Sequence, residues 1–365
     1  MPTMPAARVR AGTAAACGAL ALIAACSGAP DRAPSASPSS QATGLAGQAG
    51  PQPAATTALA AQLAPAQARQ AFEAFFPRFD AMVTHHRVAR VPRLTVGAEE
   101  QVRAFGTRHG TGLPPLAQES ERFYVPRVTS YPRWFVEEAA THSHGAAGGD
   151  AFVMVQSRRG GPWQEADTLT WSGPRPAQLS GISVSHGYAT TVFPDHASLA
   201  VSPGQLPGQY TRLISRTADA ASSPFAASDA TTGWIASQQK VVKGAPSKGW
   251  QVSFGFSAPA IPAYALRTTS GGAVVFFAFG QASTWTARSS APKFSAAANS
   301  FDGRMPLEVA LEAGLSSPAV RPGTKFASSY VFESAALDPP RGQGKVSLLP
   351  SALDGGGITS AAKVS

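Results

Sequence analysis

The chain has 365 residues, a net charge of +9 and a sequence pI near 9.9, with 44% apolar and 14% charged residues. That length and apolar content suffice for a large buried core. The two cysteines, Cys17 and Cys26, leave no disulfide framework or cysteine zinc site for the body, and Lys and Arg nowhere cluster with interleaved aromatics, which excludes a nucleic-acid reader.

The first twelve residues, MPTMPAARVRAG, place Arg8 and Arg10 ahead of an apolar run that stops at Cys26. The run has signal-peptide length and falls short of the roughly 20 residues a membrane-spanning helix needs. Ile23-Ala24-Ala25-Cys26 resembles a bacterial lipobox: an aliphatic residue, two small residues, then cysteine. The resemblance implies cleavage of residues 1–25 and lipidation of the Cys26 thiol. Two or more acyl chains there would hold the protein at the outer leaflet of the cytoplasmic membrane. The alternative is an ordinary secretory signal with Cys26 incidental. Losing Arg8 and Arg10 and no acid lowers the charge to +7.

Residues 26–63 are Ala, Ser, Pro, Gly, Gln and Thr with almost no large apolar side chain. Such a composition cannot offset its ordering entropy, so the segment is expected to be a disordered tether. A coil of this length spans roughly 30–40 Å on average. The excess of +7 is expected to be spread over the surface and to serve solubility; the alternative is attraction to anionic headgroups or to an anionic wall polymer.

The body opens with PAQARQAFEAFFPRFDAMV, where Phe72, Phe75, Phe76, Phe79, Met82 and Val83 line one face of a helix that Pro77 should kink or break. A short helix is expected over Ala98–Gly106. The period then changes, and RFYVPRV, RWFVEEAA, AFVMVQS and WQEADTLTW read as antiparallel strands. The order recurs: a helix within Ser202–Arg216, then WQVSFGFS, PAYALRTT, AVVFFAFG and STWTARSS. Tyr131–Val136 is echoed by Ile261–Leu266, and Gly148–Val155 by Gly271–Ala278, with Trp163 and Trp285 following. In each copy a Gly-Gly turn is expected to join two strands, with an aromatic opening the next. "KVSLL" could add a late strand, and the Gly-rich C-terminal end is expected to fray.

These patterns predict an α+β protein of two tandem domains, 64–185 and 190–365, each with helices packed on a curved antiparallel sheet. The stretches "FYVPR", "YPRWFV", "GGPW", "LAVSP", "IPAYALRT" and "GGAVVFFAF" make the body similar to an uncharacterised actinobacterial lipoprotein family, a domain of unknown function. Each half also resembles the NTF2-like cone. The family carries no assigned activity, so the resemblance implies no catalytic residue and no cofactor.

Candidate chemistry is sparse. His142 and His144 lie in THSHGAAGGD, and His85-His86 form a second pair, but no further ligands stand at zinc spacing, so solvated loop histidines are expected. Ser237-Gln238-Gln239-Lys240 fits S-x-x-K without its S-D-N and K-T-G partners. Glu137 and Glu138 point to opposite faces of one strand and cannot form a dyad; both are expected near the strand end in water. One of them, beside Trp134 or Phe135, could instead act as a general base in a cone cavity. Tyr131, Trp134, Glu137, Glu138 and Tyr264 are the pocket candidates, and Cys26 is the lipidation site. The expected role is non-catalytic binding of a ligand or envelope partner, or scaffolding; the competing reading is an enzyme with a carboxylate or histidine base in such a cavity.

Overall fold

A computed structural model describes residues 62–109, 118–143, 146–215, 221–289, 292–295, 305–306, 320–349 and 356–363. Cys26, the leader and nearly all of the tether lie outside the described residues. Thr57–Ser365 forms one compact unit. Its helices are α1 (Pro65–Thr84), α2 (Val91–Leu94), α3 (Ala98–His109), α4 (Ala177–Ser180), α5 (Leu206–Ile214) and α6 (Trp234–Gly244). Its strands are β1 (Gln118–Tyr124), β2 (Arg133–Ser143), β3 (Ala146–Gln156), β4 (Gln164–Ser172), β5 (Val184–Ser185), β6 (Tyr188–Ala189), β7 (Trp250–Ser257), β8 (Tyr264–Arg267), β9 (Ala273–Ala287), β10 (Phe294–Ser295), β11 (Met305–Pro306), β12 (Lys325–Asp338), β13 (Ser347–Leu348) and β14 (Gly356–Lys363).

β1 to β4 form an antiparallel meander in sequence order. A second antiparallel sheet runs β13-β12-β9-β7, with β14 added to β12 and β8 to β9. Alternation along the strands gives each sheet two apolar faces. One face of the meander, carrying Phe135, Phe152 and Met154, packs under Phe72, Phe75 and Phe79 of α1. The other face, with Trp134, Val136, Val153 and Trp171, meets Tyr264, Phe276 and Ala335 of the larger sheet in one buried cluster. Across the larger sheet, Tyr210 of α5 sits 5.8 Å from Phe277 and 5.0 Å from Phe279, ring centre to ring centre. The layers are therefore helix, four-stranded sheet, larger sheet, helix. The two stretches expected as separate domains supply one sheet each, and they share this cluster.

Several local expectations are corrected. Pro77 does not break α1, which runs on through Thr84. It lies on the exposed side, where the carbonyl it leaves unpaired meets water. Gly148-Gly149 is not a turn but the interior of β3. A Cβ on Gly149 would stand 2.2 Å from the Trp171 indole and 2.6 Å from the Ala139 carbonyl, so the glycine makes room for a tryptophan. The second copy does turn at Gly271, with φ of 83°. AVVFFAFG and STWTARSS are one strand of 15 residues, β9, so Trp285 lies within it. The helix expected over Ser202–Arg216 is confined to α5, after a 3-10 turn at Pro203–Gln205. The C-terminal end pairs with β12 as β14.

Candidate functional site

Of the residues singled out from sequence, Trp134 and Tyr264 are brought together, their ring centres 5.3 Å apart across the two sheets. Tyr131 is not with them; its ring takes the Arg133 guanidinium at 4.9 Å. Glu137 and Glu138 are buried rather than solvated, at 0% and 5% exposure. They do face opposite ways, as a regular strand requires. Glu138 holds Arg175, whose Nε donates to Oε1 and whose Nη2 donates to Oε2 at 2.6 Å. Arg175 also donates to the Tyr124 hydroxyl at 2.8 Å. Burial and the Glu138 charge push the Tyr124 phenol up to about 12. This network straps the segment before α4 onto β1 and β2, and its donors and acceptors are already committed to one another.

A second ionic cluster lies where α3 bridges the edge of the meander and the larger sheet. Apolar Ala98 and Val102 seat α3 on Ala278 of β9 and Val331 of β12. The adjoining turn is tied to β4 by the Val96 N–H, which donates to the Glu165 carbonyl at 2.8 Å. The Gln164 side-chain amide donates to the carbonyls of Pro92 and Thr95 at 3.0 and 3.1 Å. In β4, Asp167 stands opposite Val153 and Glu165 opposite Met154, so Ala166 is the extra residue of a β-bulge. The bulge turns Glu165 to the helix side and Asp167 toward the larger sheet. Glu333 of β12 pairs with Ala278 and so shares the face that α3 covers.

Glu99, Glu165 and Glu333 are thereby sealed at 0–2% exposure around Arg103, with Asp167, at 0%, next to Glu99; among the described residues Arg103 is the one cation in the cluster. Arg103 Nε donates to Glu99, one helical turn away, and Nη2 stands 4.0 Å from Glu165. Thr168 Oγ1 donates to Glu165. Both oxygens of Asp167 and one each of Glu99, Glu165 and Glu333 have no hydrogen-bond partner. One guanidinium compensates one carboxylate, and buried uncompensated charge is too costly to keep. Burial first, then the neighbouring carboxylates, raises the carboxyl groups of Glu165, Asp167 and Glu333 well above the usual range. Glu333 in its neutral form hydrogen-bonds Glu99. Burial and Asp167 likewise push the Tyr264 phenol up. Elsewhere on β12, burial raises Asp338 to about 7 although the Val201 N–H donates to its Oδ1 at 3.3 Å.

Among the described residues no group of three or more His, Cys, Asp or Glu is placed to hold a metal ion. His142 is in β2 opposite Ala147, not in a loop, and His144 lies outside the described residues.

The apolar pocket is elsewhere: none of the pocket candidates Tyr131, Trp134, Glu137, Glu138 and Tyr264 lines it, although Gln238 and Gln239 of the S-x-x-K stretch do. Ile214 and Ser215 at the end of α5, Ile235, Gln238, Gln239, Val242 and Lys243 of α6, and Phe254–Phe256 of β7 enclose about 550 Å³. The α6 residues recur at i, i+3, i+4, i+7 and i+8, the helical signal that would have found this face. Exposed Gln239, Val242 and Lys243 mark its mouth. Ser237 and Lys240 of the S-x-x-K pattern sit on α6 but do not line the pocket.

Among the described residues no helix is long and apolar enough to cross a membrane. No solved structure matches the chain. A lipoprotein of Streptomyces avermitilis, described as uncharacterized, is 29% identical over 175 residues, covering 46% of this chain. The chain spans about half of that relative's length, 48%. Residues 100–352 match the model of the domain of unknown function DUF8094, a span that takes in most of α3, the four-stranded sheet, α5, α6 and the larger sheet except β14. The chain belongs to the DUF8094 family.

Proposed function

We propose that the chain is a lipid-anchored envelope protein that binds a small apolar or amphiphilic molecule without transforming it. The carrying observation is the pocket between α5, α6 and β7: five large apolar side chains, with Ser215, two glutamines and Lys243 as polar groups, and no acid among the lining residues. This is the composition of a binding site, apolar with a few orienting polar groups. Gln238 Oε1 is buried at the pocket wall without a hydrogen-bond partner. The carboxyl groups whose protonation is perturbed, which an enzyme reading needs, are instead buried away from this pocket: Glu165, Asp167 and Glu333 beside α3, and Asp338 at the end of β12, all at 0–2% exposure. Anchoring at Cys26, in the outer leaflet of the cytoplasmic membrane, is supported by the lipobox and by the relative described as a lipoprotein. The tether would then hold the body off the bilayer.

Residues 26–365 carrying Cys26→Ser, so that no acyl group is attached, should take up Nile red at one saturable site. Val242→Trp should weaken that binding about tenfold, since Val242 is 45% exposed at the mouth and an indole there fills space without touching the core. Equal binding by the variant, or turnover of an envelope substrate abolished by a point mutation, overturns the proposal.

A further inference from the structure

We propose that Arg78, Arg90 and Arg93 form a binding site for a phosphate group, separate from the apolar pocket. With Leu94 these three arginines line a second pocket, of about 220 Å³. Their positions are fixed by the core rather than by their own contacts. Phe75, Phe79 and Met82 bury one face of α1, and Arg78, one helical turn from Phe75 and from Met82, stands at the edge of that face. The next turn of chain is a 3-10 helix, Val88–Arg90, ending at Arg90. Val91 and Leu94, at 1% and 2% exposure, pin α2 and aim Arg93 outward. All three arginines are exposed, and their guanidinium groups make no hydrogen bond or ion pair among the described residues. The contrast within the same fold is sharp: Arg103 and Arg175 each hold a carboxylate.

Three uncompensated cations held around one small pocket repel one another, and an anion relieves that repulsion. A guanidinium presents a planar fork of donors that matches phosphate oxygens two at a time. A carboxylate would engage one fork; a phosphate has enough oxygens for three. Arg87, also exposed, adds a fourth cation to the same turn. Two sources offer this chemistry: a phospholipid headgroup, or phosphate in solution or on a wall polymer.

The test uses residues 26–365 with Cys26→Ser. Inorganic phosphate, titrated by calorimetry at constant ionic strength, should bind at one site. Arg90→Gln combined with Arg93→Gln should lower the affinity about a hundredfold, roughly tenfold for each guanidinium that no longer donates to the anion. Arg341→Gln, an exposed arginine elsewhere, should leave it unchanged, and all variants should keep the parent's circular dichroism because the altered side chains are at the surface. Binding to phosphatidylglycerol vesicles but not phosphatidylcholine vesicles, competed by phosphate and abolished in the double variant, assigns the lipid headgroup. Phosphate binding without vesicle binding assigns a soluble or polymer-borne group. The site is overturned if phosphate does not bind the parent, if it binds the double variant equally, or if vesicle binding survives in that variant.

Discussion

Glu333→Gln should reduce the pH dependence of folding stability by one proton's worth. In the folded chain Glu165, Asp167 and Glu333 retain protons because burial and mutual proximity disfavour their charged forms. The unfolded chain ionises them near their ordinary values of 4.5, 3.8 and 4.5. Above that range the folded state binds more protons than the unfolded one, so stability falls as pH rises toward the raised folded values and is fully present only below the ordinary ones. Each retained proton contributes a slope of about 1.4 kcal/mol per pH unit. Glutamine keeps the shape of the neutral acid and can still donate to Glu99, but it has no proton to lose. Urea denaturation of parent and variant at a series of pH values above the ordinary glutamate value of 4.5 should show the variant gaining on the parent as pH rises, at up to about 1.4 kcal/mol per pH unit. At 2% exposure, Glu333 is sealed from the solvent that would screen the effect. Parallel curves would show that Glu333 is ionised in the fold and that the charge argument for the cluster is wrong.

Asp338→Asn should act in the same direction over a narrower range, because burial raises this carboxyl to about 7; the variant should gain stability on the parent from about pH 4 upward and the gain should level off above about pH 7, as read by thermal melts across that span. Gly149→Ala should destabilise by about 2–3 kcal/mol, since the new methyl meets the Trp171 indole at 2.2 Å. Trp171→Leu in the same chain should cost less than it does alone, a coupling that a double-mutant cycle measures.

What the sequence shows and what it hides divide along a physical line. The phenylalanine period of α1 and the alternation of β7 were legible because they encode which face is buried, and local spacing carries that information. Trp134 and Tyr264 were legible as aromatics on strands, but their contact joins residues 130 positions apart and has no local signal. β12 went unread: KFASSYVFESAALD has few β-branched residues, and Glu333 looks like an interruption of an apolar run. The fate of charge is the hardest part. Glu99 and Arg103 read locally as an ordinary exposed i, i+4 pair, yet α3 is covered on that side by strands from both sheets. The bulge at Ala166, which separates Glu165 from Asp167, follows from tertiary packing and leaves no mark in "WQEADTLTW". Conversely, Arg78, Arg90 and Arg93 read as scattered solubility charge because the turn at His85–Arg87 separates them in sequence while bringing them to one pocket. In this fold, then, the acids that look surface-bound are buried around one arginine, and the cations that look dispersed converge. The net charge of +9 is for that reason a poor guide to where an anion would dock: several of the acids counted in it lie inside, while exposed arginines that are distant in sequence meet at one pocket.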